Sequence, residues 1–206
     1  MPPRHERSPR VSPAADEAAS APRIIGGEFR GRRLDYLPDA RTRPMKDRVR
    51  ESLFDLLGTS VRDSLAIDLF AGTGALGFEA VSRGARRAIF CEIHFPTAAT
   101  IRRSAATLGI TDRVEVRSGD VLLWPRRMPP LPSTLPWVVF CSPPWSFFQD
   151  RRTDTMTLID TLKAAAPPGS TVVVESDTSF DATFLPDAAA WTSRAMPPAV
   201  LHFHNG

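Results

Sequence analysis

The 206-residue chain has only two cysteines, and no apolar run in it approaches the roughly 18 residues that cross a bilayer. Cys91 and Cys141 exclude a disulfide framework. Each closes an apolar run, AIFC or VVFC, as a small buried strand residue does. If their strands flank a third, they lie about 9–10 Å apart, beyond the ~7 Å a bridge tolerates, so both read as reduced core thiols. No apolar stretch opens the chain as a signal peptide would. These absences leave a cytoplasmic protein without a membrane partner as the expectation. What is there is ordinary globular composition, 42% hydrophobic and 24% charged, enough for one domain with small appendages.

The net charge of +3 is unevenly spread. Residues 1–22 hold three Arg and three acids, residues 23–50 nine basic residues against four acids, and residues 51–206 fourteen against sixteen. Positive charge is therefore concentrated in one short segment ahead of a slightly acidic body. Such a segment suits phosphate contact as well as an ordinary solvated surface.

Residues 1–22 are rich in Pro, Ala, Ser and charge and read as a disordered tail. RIIGGEFRGRRLDYL then reads as two short strands around Gly26–Gly27, or a small hairpin. MKDRVRESLFDLLG follows as a helix with Val49, Leu53, Leu56 and Leu57 on one stripe and Gly58 as its stop. Arg48 and Arg50 fall off that stripe and are expected to face solvent or a ligand. Residues 23–58 would form a basic N-terminal segment, and 59–206 the main domain.

From residue 64 strands and helices alternate. Strands are predicted at 64–70, 86–92, 114–120, 136–142 and 171–176, with helices at 75–83, 95–109 and 156–165. Fully apolar strands in this alternation predict an α/β, doubly wound, mostly parallel sheet covered on both faces, closed by strands near WTSRAM and AVLHFHN. The Pro-rich stretch 125–136 reads as a solvated connector.

Such a sheet binds ligands beyond the carboxyl ends of its strands. After the first strand comes Asp68, then Gly72, Gly74 and Gly77 in a G-x-G-x-x-G spacing. Gly72 and Gly74 let a ligand approach the backbone, and Gly77 lets helix and sheet pack closely. The spacing alone fits a nicotinamide dinucleotide as well as S-adenosylmethionine. Asp68 favours the methyl donor, because a carboxylate there accepts from an amino-acid end and repels a pyrophosphate. Glu92 ends the second strand, where a carboxylate can accept both ribose hydroxyls. Asp120 ends the third, where it can take an adenine amino group, or simply cap a turn.

The fourth strand ends in Ser142-Pro143-Pro144-Trp145. Two prolines remove two N–H donors and fix the backbone, so carbonyls there can accept from an exocyclic amine. The Ser142 hydroxyl adds an acceptor, and Trp145 a face for a flipped-out base to stack on. The plainer reading is a Pro-terminated strand with a core tryptophan. His202 and His204 share one face of a terminal strand, but no third ligand accompanies them, so an edge strand and no metal are expected.

The SPPW corner is similar to the (D/N/S)-PP-(Y/F/W) tetrapeptide of amino-group methyltransferases. The stretch from Arg23 to about Asp177 resembles more narrowly the RsmD-type 16S rRNA guanine-N2 methyltransferase family, above all in RIIGGEFRGRRL (23–34), TRPMKDRVRESLFDLL (42–57) and DLFAGTGALGFEAVSRGA (68–85). That resemblance implies a seven-stranded Rossmann-like fold and S-adenosylmethionine held by Asp68, Phe70, Ala71, Gly72, Thr73, Gly74, Ala75, Glu92, Asp120 and Val121. It implies Ser142, Pro143, Pro144 and Trp145 around the guanine amine. Arg23, Arg30, Arg32, Arg43, Arg48 and Arg50 would grip the 16S rRNA of the small ribosomal subunit or its assembly intermediate, with the protein acting as a monomer. The family usually carries Asp or Asn where Ser142 stands, and Tyr or Phe where Trp145 stands. The MPPAVLHFHN piece also departs from the family. A non-catalytic RNA-binding or assembly protein on a decayed methyltransferase fold is the alternative these departures raise.

Overall fold

The computed structural model describes residues 21–38, 45–127 and 129–206. The expected tail lies outside the described residues as far as residue 20, and so does Arg43. The described elements run α1 (Asp47–Leu57), β1 (Leu65–Asp68), α2 (Ala75–Ser82), β2 (Arg87–Glu92), α3 (Phe95–Leu108), β3 (Val114–Ser118), β4 (Trp137–Cys141), α4 (Phe147–Asp150), α5 (Arg152–Ala165), β5 (Thr171–Asp177), β6 (Thr192–Met196) and β7 (Ala199–Asn205).

All seven strands join one sheet in the order β3-β2-β1-β4-β5-β7-β6. The first five are parallel, and β7 enters antiparallel between β5 and β6. This is the doubly wound α/β sheet read from the sequence. Strand order reverses between β1 and β4, the place where such sheets bind ligands. Cys91 and Cys141 lie on β2 and β4, either side of β1, as free buried thiols.

The strands are apolar throughout because alternate residues feed two cores. Ala66, Phe90, Phe140 and Val173 pack with residues of α1, α2 and α3 on one face. Ile67, Ile89, Val139 and Val174 pack with Leu158, Ile159 and Leu162 of α5 on the other. Gly77 is where α2 presses on the sheet: a Cβ there would stand 2.3 Å from the Phe90 ring.

Three expectations need correction. The 23–34 segment is not a pair of strands but a small hairpin, the other reading of its sequence, closed by a single antiparallel bridge from Arg23 to Arg33. Gly27 and Gly31 adopt positive φ, and while Ile24 and Leu34 N–H bond across the turn, other amides go to α2: Ile25 N–H donates to Glu79 (2.8 Å) and Phe29 N–H to Ser82 Oγ (2.9 Å). Ile24 and Leu34 consequently join the same core as Leu53, Phe54 and Leu57 of α1.

The apolar stripe of α1 is also rotated. Leu56 is exposed, while Phe54 and Arg50 are buried beside Leu53 and Leu57. Arg50, expected to face solvent or a ligand, is 1% exposed. Its guanidinium donates to Asp47 (2.8 Å) and to the Arg23 carbonyl (2.7 Å) and lies 3.9 Å from the buried Glu79. Charge pairing carries a cation into the core that periodicity alone puts outside. Finally, His202 and His204 lie on an inner strand, not an edge; His202 is buried between the Ser176 and Ser193 hydroxyls, at 2.9 and 2.7 Å.

Because Phe90 is fully buried against the Phe78 ring, Gly77→Ala is expected to destabilise the fold by about 1–3 kcal/mol despite alanine's better helix propensity. The urea midpoint of the variant would fall accordingly.

Candidate active site

At the carboxyl edge of the sheet a cavity of about 470 Å³ lies over the point where strand order reverses. The first turn beyond β1 forms one wall. Its backbone is pinned at two places: Ala71 N–H donates to the Cys91 carbonyl (2.9 Å), and Gly72 N–H to Glu92 Oε2 (2.8 Å). The other Glu92 oxygen accepts from His94 N–H at 2.8 Å. Glu92 thus fixes the glycine turn against the end of β2, and its remaining lone pairs are available to ligand hydroxyls.

Asp68 is 2% exposed at the floor and accepts from Gly77 N–H at 3.2 Å. Burial pushes its carboxyl up to about 7; the Gly77 N–H offsets part of that rise, and the Glu92 charge adds to it. Asp120 stands two residues past β3. Its Oδ1 accepts from Leu122 N–H (2.9 Å), capping the short turn at Val121–Leu123, and its Oδ2 meets Arg151 at 3.2 Å. The turn role and the cavity position, alternatives in the sequence, coexist.

Of the residues assigned to a cofactor, Asp68, Phe70, Ala71, Gly72, Thr73, Ala75, Glu92, Asp120 and Val121 all line this one cavity. Gly74 does not; at φ 76° it forms the left-handed turn that starts α2. Ser142, Pro143, Pro144 and Trp145 line the same cavity, with Trp145 only partly buried. The Pro144 carbonyl accepts from Phe147 N–H at 2.8 Å. None of the described arginines assigned to RNA lines the cavity. Arg30 and Arg48 are exposed, Arg23 is exposed and 3.1 Å from Asp47, Arg32 donates to the Thr107 carbonyl, and Arg50 is internal.

Sequence reasoning missed Arg151, Lys46 and Glu175, which also line the cavity. Glu175 was within reach: the rule that ligands sit beyond strand carboxyl ends applies to VVVE on β5 as it does to β1 and β2. Burial raises its carboxyl above the ordinary carboxylate range, and the Ser142 hydroxyl pulls it part of the way back. Arg151 had no such signal, since it sits at the junction of two helices.

Four carboxylates against Arg151 and Lys46 make the cavity a poor host for a pyrophosphate and a good one for a hydroxyl-rich or cationic ligand. The donor set fits a nucleoside carrying a positive charge.

A family model described as Conserved hypothetical protein 95 matches residues 22–195. The chain belongs to that family. The RsmD-type resemblance is borne out by relatives in it. The chain is 39% identical over 129 residues to ribosomal RNA small subunit methyltransferase D of Haemophilus influenzae, covering 61% of this chain and 64% of that one. It is 44% identical over 86 residues to the protein of the same name from Escherichia coli K12, covering 42% and 43%. The matched stretches therefore span less than two thirds of these curated relatives. The solved structure of yhhF from Escherichia coli superposes with TM-score 0.70 at 28% identity, covering 89% of this chain and 97% of that one. The structure of an RNA methyltransferase from Salinibacter ruber, in complex with S-adenosyl-L-homocysteine, shares the fold at TM-score 0.56 and 24% identity, covering 78% and 92%.

The Asp68 shift has a consequence for stability. Its carboxyl protonates more readily folded than unfolded, so stability falls as pH rises from the unfolded value toward about 7, then levels off. Asp68→Asn removes this loss. Between about pH 5 and about pH 8 the ligand-free variant should gain about 2–3 kcal/mol on the parent, read as a widening gap in thermal midpoint.

Proposed function

We propose that the chain transfers a methyl group from S-adenosylmethionine to the exocyclic N2 of a guanine in 16S rRNA. The observation that carries this reading is the convergence of the glycine turn, three strand-end acids and the SPPW corner on one cavity. When bound, S-adenosylmethionine supplies an electrophilic methyl group on a positively charged sulfur. Every other part of the reading belongs to this chain's own residues.

Glu92 would accept the ribose hydroxyls while still holding the glycine turn, and Asp120 would accept the adenine amino group beside Val121. Asp68, buried and poised near neutrality, would face the cationic amino-acid end; a positive charge there favours its ionised form. The guanine would stack on Trp145, a contact of about 1–3 kcal/mol per base. Its amine would be held at the corner by Ser142 and by the Pro143 carbonyl, the Pro144 carbonyl being taken by Phe147 N–H. Proline at both positions leaves no backbone N–H to compete for the amine's lone pair.

The exposed Arg23, Arg30, Arg32 and Arg48, with Arg43 between them in sequence, would contact RNA phosphates from the 23–58 segment, leaving 59–206 as the methyltransferase domain. Arg50 has no part in this. The small ribosomal subunit or an assembly intermediate is the implied partner, and the relatives named ribosomal RNA small subunit methyltransferase D support that choice.

Mass spectrometry of ribosomal RNA digests from a gene-deletion strain and its parent tests the assignment. N2-methylguanosine should drop by one residue per small subunit in the deletion and return when the gene is restored. Equal amounts in both strains would overturn the substrate, leaving a non-catalytic RNA-binding role on this fold as the better account.

A further inference from the structure

Glu175 has no assigned part in the chemistry above, yet it stands beside its reacting corner. β5 pairs with β4 in a register that sets Val174 against Cys141, so Glu175 is level with Ser142 one strand away. Alternation along β5 carries its side chain to the same face as Val173, Phe140 and Asp68. Glu175 lines the cavity together with Ser142, Pro143 and Trp145. The Ser142 hydroxyl is its hydrogen-bond partner.

A carboxylate in that position is expensive to keep. It is largely desolvated, and the single neutral hydroxyl returns less than a cation would. Arg151 and Lys46 also line the cavity, but Arg151 is committed to Asp120 and Asp154, at 3.2 and 3.1 Å. A half-buried carboxylate whose hydroxyl partner carries no charge, lining a cavity, marks a place where a ligand donor belongs.

We infer that Glu175 is a catalytic residue: its carboxylate accepts one N–H of the target amine, with Ser142 as its second anchor, and receives the proton that methylation releases. The inference rests on the amine methyl-transfer reading. The step balances. As the amine nitrogen forms its bond to the methyl carbon, the carbon–sulfur bond breaks and its electron pair stays on sulfur. The nitrogen is left with one proton too many, which passes to Glu175 and on to solvent. A serine at the corner cannot take that proton; the carboxylate one strand over can. Burial that lifts Glu175 makes it a better proton acceptor than a solvated glutamate.

Glu175→Gln and Glu175→Ala remove a desolvated charge, so both should fold at least as well as the parent. On small subunits from the deletion strain, kcat should fall about 100-fold or more, with affinity for S-adenosylhomocysteine unchanged. Ser142→Asp added to Glu175→Ala puts a carboxylate back at the corner and should recover part of the rate. A second readout needs no turnover. The S-adenosylhomocysteine-loaded parent should bind guanosine monophosphate about 3- to 10-fold more tightly than inosine monophosphate, which lacks the 2-amine, and Glu175→Ala should erase that preference. Full kcat in both Glu175 variants, or a parent blind to the 2-amine, overturns the inference. A parent that discriminates the two nucleotides through Glu175 but methylates no ribosomal substrate upholds amine recognition and instead overturns the rRNA assignment.

Discussion

Carboxylates gathered at one edge of a parallel sheet repel one another and resist burial, and the local backbone is built around that problem. Asp68, Glu92, Asp120 and Glu175 all face one cavity of about 470 Å³. Glu92 spends itself on two amides, of Gly72 and His94; Asp120 takes one amide and Arg151; Asp68 has the amide of Gly77; Glu175 has the hydroxyl of Ser142. Asp68 and Glu175, each with a single such partner, are both raised by burial. A fold that tolerates this arrangement gains a site already polarised for a positively charged ligand and for a group that sheds a proton.

A second charge device secures the opposite side. Glu79, fully buried on α2, accepts from Ile25 N–H and from Arg83 and lies near Arg50 of α1, while Arg50 also holds the Arg23 carbonyl. The basic segment is thereby fastened to the same helix that starts at the glycine turn. Met45, Lys46 and Val49, at the beginning of α1, reach the cavity wall. The exposed arginines of that segment and the SPPW corner are thus carried on one continuous framework, with Arg50 as a fastener inside it.

Much of this was legible in the residues. Continuous apolar strands alternating with helical stripes announce a parallel sheet, because only a sheet covered on both faces buries both residue parities. The strand-end acids and the SPPW corner were legible because topology puts every strand's carboxyl end at one edge. What escaped involved charge pairing across long sequence separations. Periodicity puts Arg50 outside because it cannot see Glu79, twenty-nine residues on. It left 23–34 open between two strands and a small hairpin because it cannot see that Glu79 and Ser82 collect the Ile25 and Phe29 amides. Glu175 was missed for a different reason, an incomplete use of the strand-end rule. Leu56 and Phe54 exchanged roles because a stripe of aliphatics is blind to which side a buried arginine occupies.

The most direct measurement is a crystal structure of the protein with S-adenosylhomocysteine. The account predicts a ribose on Glu92, the adenine edge at Asp120, the amino-acid end over Asp68, and the sulfur turned toward Ser142 and Trp145. Nucleoside density elsewhere on the molecule, or a sulfur turned away from that corner, would contradict it.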